Sequence, residues 1–78
     1  MNVEIITPDR NVFSGEAKVV TLPGTDGSFQ ILNEHTPLVG SLVSGKMEVD
    51  SQSYMIEGGV VEVLKNKVLI LLEGITEN

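Results

Sequence analysis

Residues 60–73 read VVEVLKNKVLILLE, two apolar runs on either side of Lys65-Asn66. The first run is rich in valine, and asparagine tolerates the positive φ that a tight type I′ turn requires. The stretch therefore predicts a β-hairpin. Its second run is apolar at successive positions from Val68 to Leu72, which is typical of a strand buried on both faces. We expect the sheet of this chain to close over that strand, the alternative being that a partner covers it.

The remaining sequence repeats this pattern of short apolar runs and turns. Residues 46–50 and 53–57 alternate around Ser51-Gln52 and predict a second hairpin, after which Gly58-Gly59 is expected to end the strand. The strongest loop signal is PGTDG at 23–27. Apolar residues nowhere keep a helical period over 11 residues or more. The sequence predicts one all-β domain over residues 1–78, a sandwich or flattened barrel of many short strands in two sheets.

Composition narrows the classes of function. The chain has 78 residues, a net charge of −6 and no cysteine, so its small core has no disulfide to support it, which hints at a permanent partner. The few basic residues are scattered and aromatic residues are scarce, so we expect no nucleic-acid partner. Neither an apolar run long enough to span a bilayer nor the features of a signal peptide occur. These observations favour a cytoplasm-like compartment.

The sequence offers little for catalysis. His35 is the sole histidine, and no serine lies in a G-x-S-x-G motif, so a loop histidine is favoured over a general base. The loop at 23–28 lacks the lysine of a phosphate-binding loop, and the acidic residues have no metal-loop spacing. Carboxylate pairs for glycoside chemistry have no sequence signature, but so small a domain has little room for a cleft. We predict no catalytic, metal or nucleotide site and no cofactor, with a small enzyme or free binding module as an alternative.

A second alternative rests on Gly45-Lys46-Met47. Small acidic all-β domains that carry biotin or lipoate present one lysine at an exposed hairpin tip, beside methionine or aspartate. Lys46 would be the acceptor in such a domain. However, Ser44-Gly45 stand where that class has acidic or Ala-Met residues, and Lys46 opens a predicted strand. The sequence favours a solvated lysine that discourages pairing at a strand edge.

Three ordered segments resemble the N-terminal domain of the ε subunit of F-type ATP synthases. They are IITP with VFSGE in residues 5–16, LPGTDGSFQIL with HTPL in residues 22–38, and GGVVEV with NKV in residues 58–68. The resemblance implies a ten-stranded sandwich at the foot of the rotating central stalk. Such a subunit is non-catalytic and couples ion-driven rotation of the c ring to ATP synthesis or hydrolysis in the α/β head.

The resemblance also implies partners and positions. The partners are the γ subunit and the c ring, with the α/β head reached indirectly, the membrane only through the c ring, and no homo-oligomer in the complex. The expected location is peripheral, on the cytoplasmic, matrix or stromal face of an energy-transducing membrane, with a bacterial cell membrane as the expected host. By position, Asp26, Gly27 and Ser28 are candidate c-ring contacts. Glu34, His35 and Leu38 are candidate contacts in the adjoining region shared with γ.

The sequence departs from the family pattern in two places and at its end. The family usually has an acid where Ser28 stands, and Pro-Gly where Asn33-Glu34 stand. Glu34 is a candidate to supply the displaced charge. Most members continue into a two-helix hairpin that restrains hydrolytic rotation and in some cases binds ATP. Because this sequence ends at Asn78, the resemblance implies a short form without that hairpin and no ATP binding by this chain.

Overall fold

The computed structural model describes residues 1–77, which form eight β-strands and, within that range, no helix. The strands are β1 (Asn2–Ile6), β2 (Asn11–Glu16), β3 (Val19–Gly24), β4 (Gly27–Leu32), β5 (Leu38–Val49), β6 (Gln52–Leu64), β7 (Lys67–Leu72) and β8 (Ile75–Glu77). The prediction of an all-β chain is confirmed. The predicted domain end at Asn78 lies outside the described residues.

Hydrogen bonds join the strands in the order β2-β1-β7-β6-β5-β3-β4, and β8 pairs separately with β6. Neighbours are antiparallel except β1 and β7, which run parallel from the pair Asn2–Lys67 to the pair Ile6–Leu71. The hairpin of β5 and β6, the two longest strands, lies near the middle of this order. The strands therefore form one continuous hydrogen-bonded sheet, which wraps around the core.

The strand count differs from the predicted ten in two sheets because β5 and β6 are not broken where glycines occur. β6 runs through Gly58 and Gly59, which adopt φ values of 117° and 155°. Such φ values are open to glycine without steric cost, so the strand bends instead of ending. Dividing each of the two long strands at this bend would restore ten segments. The sequence located the bend at Gly58-Gly59 correctly, but the prediction that the strand ends there was wrong.

The bend also changes which side chains face the core. In β5 the inward positions are even-numbered as far as Leu42 and odd-numbered from Met47 onward, with Val43 and Ser44 both exposed between them. In β6 the inward positions change from Ile56 to Val61 across the glycine pair. Because side chains normally alternate along a strand, each switch of face needs an irregular backbone at this point. The two halves of the long hairpin thus contribute to opposite layers of the sandwich.

The core collects inward-facing residues from both layers. The side chains with the least exposure belong to six strands and include Ile5, Leu22, Ile31, Met47, Ile56 and Ile70. The buried side chains of the described residues leave no polar atom without a hydrogen-bond partner. A single apolar cluster therefore holds the layers together.

The turns largely follow the sequence. Lys65 and Asn66 adopt φ values of 50° and 61°, as a type I′ turn requires, so this prediction is confirmed. The second hairpin is also confirmed, but its turn lies at Asp50-Ser51, one residue earlier than predicted. The 23–27 loop is shorter than predicted, because Pro23 and Gly24 still belong to β3 and the turn itself is 25–26.

Candidate functional site

A shallow depression of about 370 Å³ lies between the β3–β4 turn and the start of β5. Five of the six residues expected at contacts line it: Asp26, Gly27, Ser28, His35 and Leu38. The sixth, Glu34, is not part of the lining. The fold thus brings two segments that are separate in sequence to one end of the sandwich.

The β3–β4 side of the depression is a tight hairpin. Gly24 and Gly27 are paired across it, and Gly27 has a φ of 122°, which favours glycine. The ring of Phe29 lies against Gly24, where an added Cβ would come within 2.8 Å of the ring. Asp26 and Ser28 are both exposed. This edge therefore presents a fixed backbone with polar side chains open to a partner.

The β4–β5 side begins with a β-turn. The His35 N–H donates to the carbonyl of Leu32 at 3.1 Å, which places Asn33 and Glu34 at the two central positions. Glu34 has a φ of 63°, as the third residue of a type II turn requires. The His35 Nδ1 atom lies 2.7 Å from the Thr36 carbonyl oxygen, so the tautomer with a proton on Nδ1 donates there. These contacts fix the backbone at His35.

Asn66, which the sequence identified only as a turn residue, contacts this loop. Its Oδ1 accepts a hydrogen bond from the Glu34 N–H at 2.8 Å. The Asn66 carbonyl accepts another from the Asn2 N–H at 3.0 Å. Nothing in the sequence could reveal the first bond, because it joins residues that only the fold brings together.

The chemistry of this end is that of surface contact. No group of three or more histidine, aspartate or glutamate side chains that could hold a metal occurs in residues 1–77. Lys46, the acceptor in the carrier interpretation, lies inside β5 opposite Met55 and 4.0 Å from a Glu48 carboxylate oxygen. It is therefore not at a hairpin tip, and the carrier interpretation is not supported.

A second surface lies on the outer side of β1, β5, β6 and β7. Ser41, Val60, Leu71 and Ile6 are successive cross-strand neighbours there. With the remaining apolar side chains on that side they form the apolar outer face, defined as Ile6, Val39, Val60, Leu64, Leu69 and Leu71. The exposed fractions of Val39, Val60 and Leu71 are 77%, 43% and 42%. The expectation that the sheet closes over both faces of β7 was wrong, because alternate side chains of β7 point out of the sandwich.

Comparison with known proteins decides the family. The model of the family described as "ATP synthase, Delta/Epsilon chain, beta-sandwich domain" matches residues 1–78. The chain belongs to the ATP synthase delta/epsilon family. The ATP synthase epsilon chain of Chlorobium limicola is 42% identical to it over 79 residues, covering 95% of this chain and 90% of that protein. The epsilon chain of Sulfurimonas denitrificans is 40% identical over 79 residues, covering 95% of this chain and 61% of that protein.

Solved structures show the same delta/epsilon fold. A chain in the cryo-EM structure of the Tetrahymena thermophila mitochondrial ATP synthase central stalk and c ring matches with a TM-score of 0.90 and 18% identity, covering 97% of this chain and 65% of that one. A chain of the Euglena gracilis mitochondrial ATP synthase, solved as OSCP/F1/c-ring, matches with a TM-score of 0.90 and 22% identity, covering 96% and 51%. At these identities the likeness establishes the fold, and the sandwich expected from the sequence is confirmed.

The described residues include no helix long and apolar enough to cross a bilayer. The chain spans nearly the full length of one delta/epsilon relative and about three fifths of another.

Proposed function

We propose that this chain is a non-catalytic subunit in the central stalk of an F-type ATP synthase. In this role it binds the γ subunit and the c ring and couples rotation of the ring to ATP synthesis or hydrolysis in the α/β head. The observation that carries the proposal is the family match over residues 1–78, with epsilon chains about 40% identical over 95% of the chain. A coupling subunit needs a stiff body and a surface for each partner, and the continuous sheet with two exposed surfaces in the described residues supports this role.

The apolar outer face is proposed as the surface for γ. Val60, Leu71 and Ile6 are neighbours in one apolar row across three strands, and Leu69 lies in the next row between Glu62 and Glu4. Contiguous exposed apolar area of this kind is a feature of protein interfaces. Leu71 lies near its centre, between Val60 on β6 and Ile6 on β1.

The depression, which adjoins the apolar outer face at Ser41, is proposed as the surface for the c ring and the region it shares with γ. Asp26, Gly27 and Ser28 provide the polar turn, and His35 and Leu38 lie on the adjoining segment. Polar contacts suit the exposed loops of a membrane ring better than apolar ones, because both partners are hydrated before they meet. The chain then reaches the membrane through the ring and lies on the cytoplasmic face, or its matrix or stromal equivalent, of an energy-transducing membrane, with a bacterial cell membrane as the host.

Affinity capture from membranes of the source organism tests this proposal. With the tagged chain as bait and mild detergent, we expect the γ and c subunits to be recovered together and identified by mass. A Met55→Glu bait is the matched control, because Met55 is 45% exposed but lies on the other half of β6, outside both surfaces. Recovery of neither subunit by the unmodified chain would contradict the assignment.

A further inference from the structure

We propose that Asn66 is a positioning residue for the docking end of the sandwich, because its side chain holds the turn that presents His35 and Leu38. This inference rests on the proposed function. It concerns the turn residues 32–35 and the carboxamide that reaches them from the β6–β7 hairpin.

The turn adopts a conformation that its own residues do not favour. Glu34 has a φ of 63°, a left-handed conformation that is sterically unfavourable for a residue with a Cβ. Glutamate has none of the local hydrogen bonding that lets asparagine or aspartate occupy it. The turn needs support from outside.

Asn66 supplies that support at the residue where it is needed. The N–H of the third residue in a β-turn has no partner within the turn, and the Glu34 N–H donates instead to Asn66 Oδ1 at 2.8 Å. A hydrogen bond that satisfies this donor favours the turn over extended conformations of the loop.

The Asn66 side chain is itself held in place. Asn66 occupies the second central position of the β6–β7 turn with a φ of 61°, and its carbonyl accepts the Asn2 N–H at 3.0 Å. The carboxamide is therefore anchored to a hairpin of the core and bridges to the loop. His35 follows Glu34 directly, and Leu38 begins β5, so the bond fixes the segment that lines the depression.

Two substitutions of Asn66 distinguish the effect of its side-chain hydrogen bond from the effect of the β6–β7 turn in which it lies. Asn66→Gly removes Oδ1 but keeps a residue that adopts positive φ freely, so the β6–β7 turn and the backbone bond to Asn2 remain. Asn66→Asp keeps both an acceptor oxygen and tolerance of positive φ. The pair isolates the single hydrogen bond.

The first measurement is amide hydrogen exchange of the folded chain, resolved by residue with NMR. In Asn66→Gly we expect the Glu34 amide to exchange faster by about fivefold, since an intramolecular hydrogen bond has a net stability of about 1 kcal/mol. In Asn66→Asp the protection should return. Equal Glu34 protection in the unmodified chain and Asn66→Gly would overturn the inference.

The second measurement is binding of the chain to a complex of γ and the c ring in detergent. We expect Asn66→Gly to bind about fivefold more weakly and Asn66→Asp to bind like the unmodified chain, because ordering the loop on binding costs free energy. A merely structural residue would lower the melting temperature without this rescue pattern at the interface. Unchanged binding by Asn66→Gly would also overturn the inference. Failure of the unmodified chain to bind would instead contradict the proposed function, and the exchange result would still decide the role of the bond.

Discussion

Two of the residues with side chains that adopt the left-handed backbone conformation in turns of this chain are stabilised by contacts with distant segments. Asp50 and Glu34 both adopt positive φ without being glycine, and each is held by contacts with a distant segment. The Asp50 carboxylate accepts the N–H groups of Lys18 and Val19 at 2.9 and 3.1 Å, while the Asp50 N–H donates to the Val19 carbonyl at 2.9 Å. The β5–β6 turn is thereby fastened to the start of β3.

The Asp50 contacts predict a pH dependence of stability. The backbone N–H groups of Lys18 and Val19 lower the pKa of the Asp50 carboxyl below its ordinary value of 3.8. A lowered pKa in the folded state means that the contribution to stability is fully present above pH 3.8 and is lost as the pH falls through the lowered value. We expect Asp50→Ala to lower the urea midpoint more at pH 7 than at pH 2.

Asp50→Asn is the control for this effect. Asparagine keeps an acceptor oxygen and tolerates positive φ, but it does not titrate. The midpoint of Asp50→Asn should therefore vary less with acid than that of the unmodified chain. Equal acid sensitivity of the two proteins would contradict the role of the carboxylate.

Substitution of Glu34 is expected to raise stability instead of lowering it. The turn at Asn33-Glu34 has the shape that Pro-Gly favours, and Pro-Gly is the pair that the family resemblance leads one to expect there. Replacing Glu34 with glycine relieves the left-handed strain, and we expect the free energy of unfolding to rise by about 0.5–1 kcal/mol. Urea denaturation measures it. A Glu34→Ala variant, which keeps a Cβ, should show no such gain.

At the scale of the strands, the sequence predicted the hairpins because turn residues and alternation are local signals. The pairs Lys65-Asn66 and Ser51-Gln52 marked two of them, one correctly placed and one a residue late. The continuity of β6 was missed, because a glycine pair has the same local signature whether a strand ends or bends. Only the partner strands, which hold both halves of β6 in one register with β5, decide between these outcomes.

The bend in β6 predicts that Gly59 is sensitive to substitution. A Cβ there would lie 2.0 Å from the Leu71 carbonyl oxygen of the paired strand β7. We expect Gly59→Ala to lower the free energy of unfolding by at least about 2 kcal/mol, because both the clash and the positive φ oppose it. Urea denaturation at pH 7 is the measurement.

Gly15→Ala provides the comparison. A Cβ at Gly15 would meet the Phe13 ring at an ordinary 3.7 Å, so the expected change is less than about 1 kcal/mol and can be favourable. Similar losses in the two variants would show that glycine conformation does not explain the bend.

For the whole molecule, the sequence predicted the class of fold and most of the docking end. Asp26, Gly27, Ser28, His35 and Leu38 were placed by resemblance, and the fold brings them around one depression. Their roles in binding remain predictions. The apolar run of β7 was noticed, but whether it is covered depends on how the sheet curls, and the local pattern of five residues carries no information on that.

A charge introduced on the apolar outer face is expected to weaken binding to γ with little effect on the stability of the free chain. Leu71→Glu places a charge at the centre of this face, but Leu71 is 42% exposed in the free chain. We expect the free energy of unfolding to change by less than about 1 kcal/mol and the affinity for γ to fall by about tenfold or more. Titration calorimetry with purified γ measures the affinity.

Met55→Glu is the matched change in the other half of β6, with a similar exposed fraction of 45%. It should leave the affinity for γ unaltered. If both variants bind γ equally well, the outer face is not the docking surface.

The parallel ladder between β1 and β7 has a consequence for how the protein is made. Asn2 pairs with Lys67, so β1 has to wait for the synthesis of β7, far along the chain, before this ladder can form. Pairing of such high contact order is slow, and unpaired strands invite aggregation in the meantime. In a nascent chain of this kind the β1 edge stays unpaired until β7 has been made, and only then can the finished sheet present its surfaces for assembly.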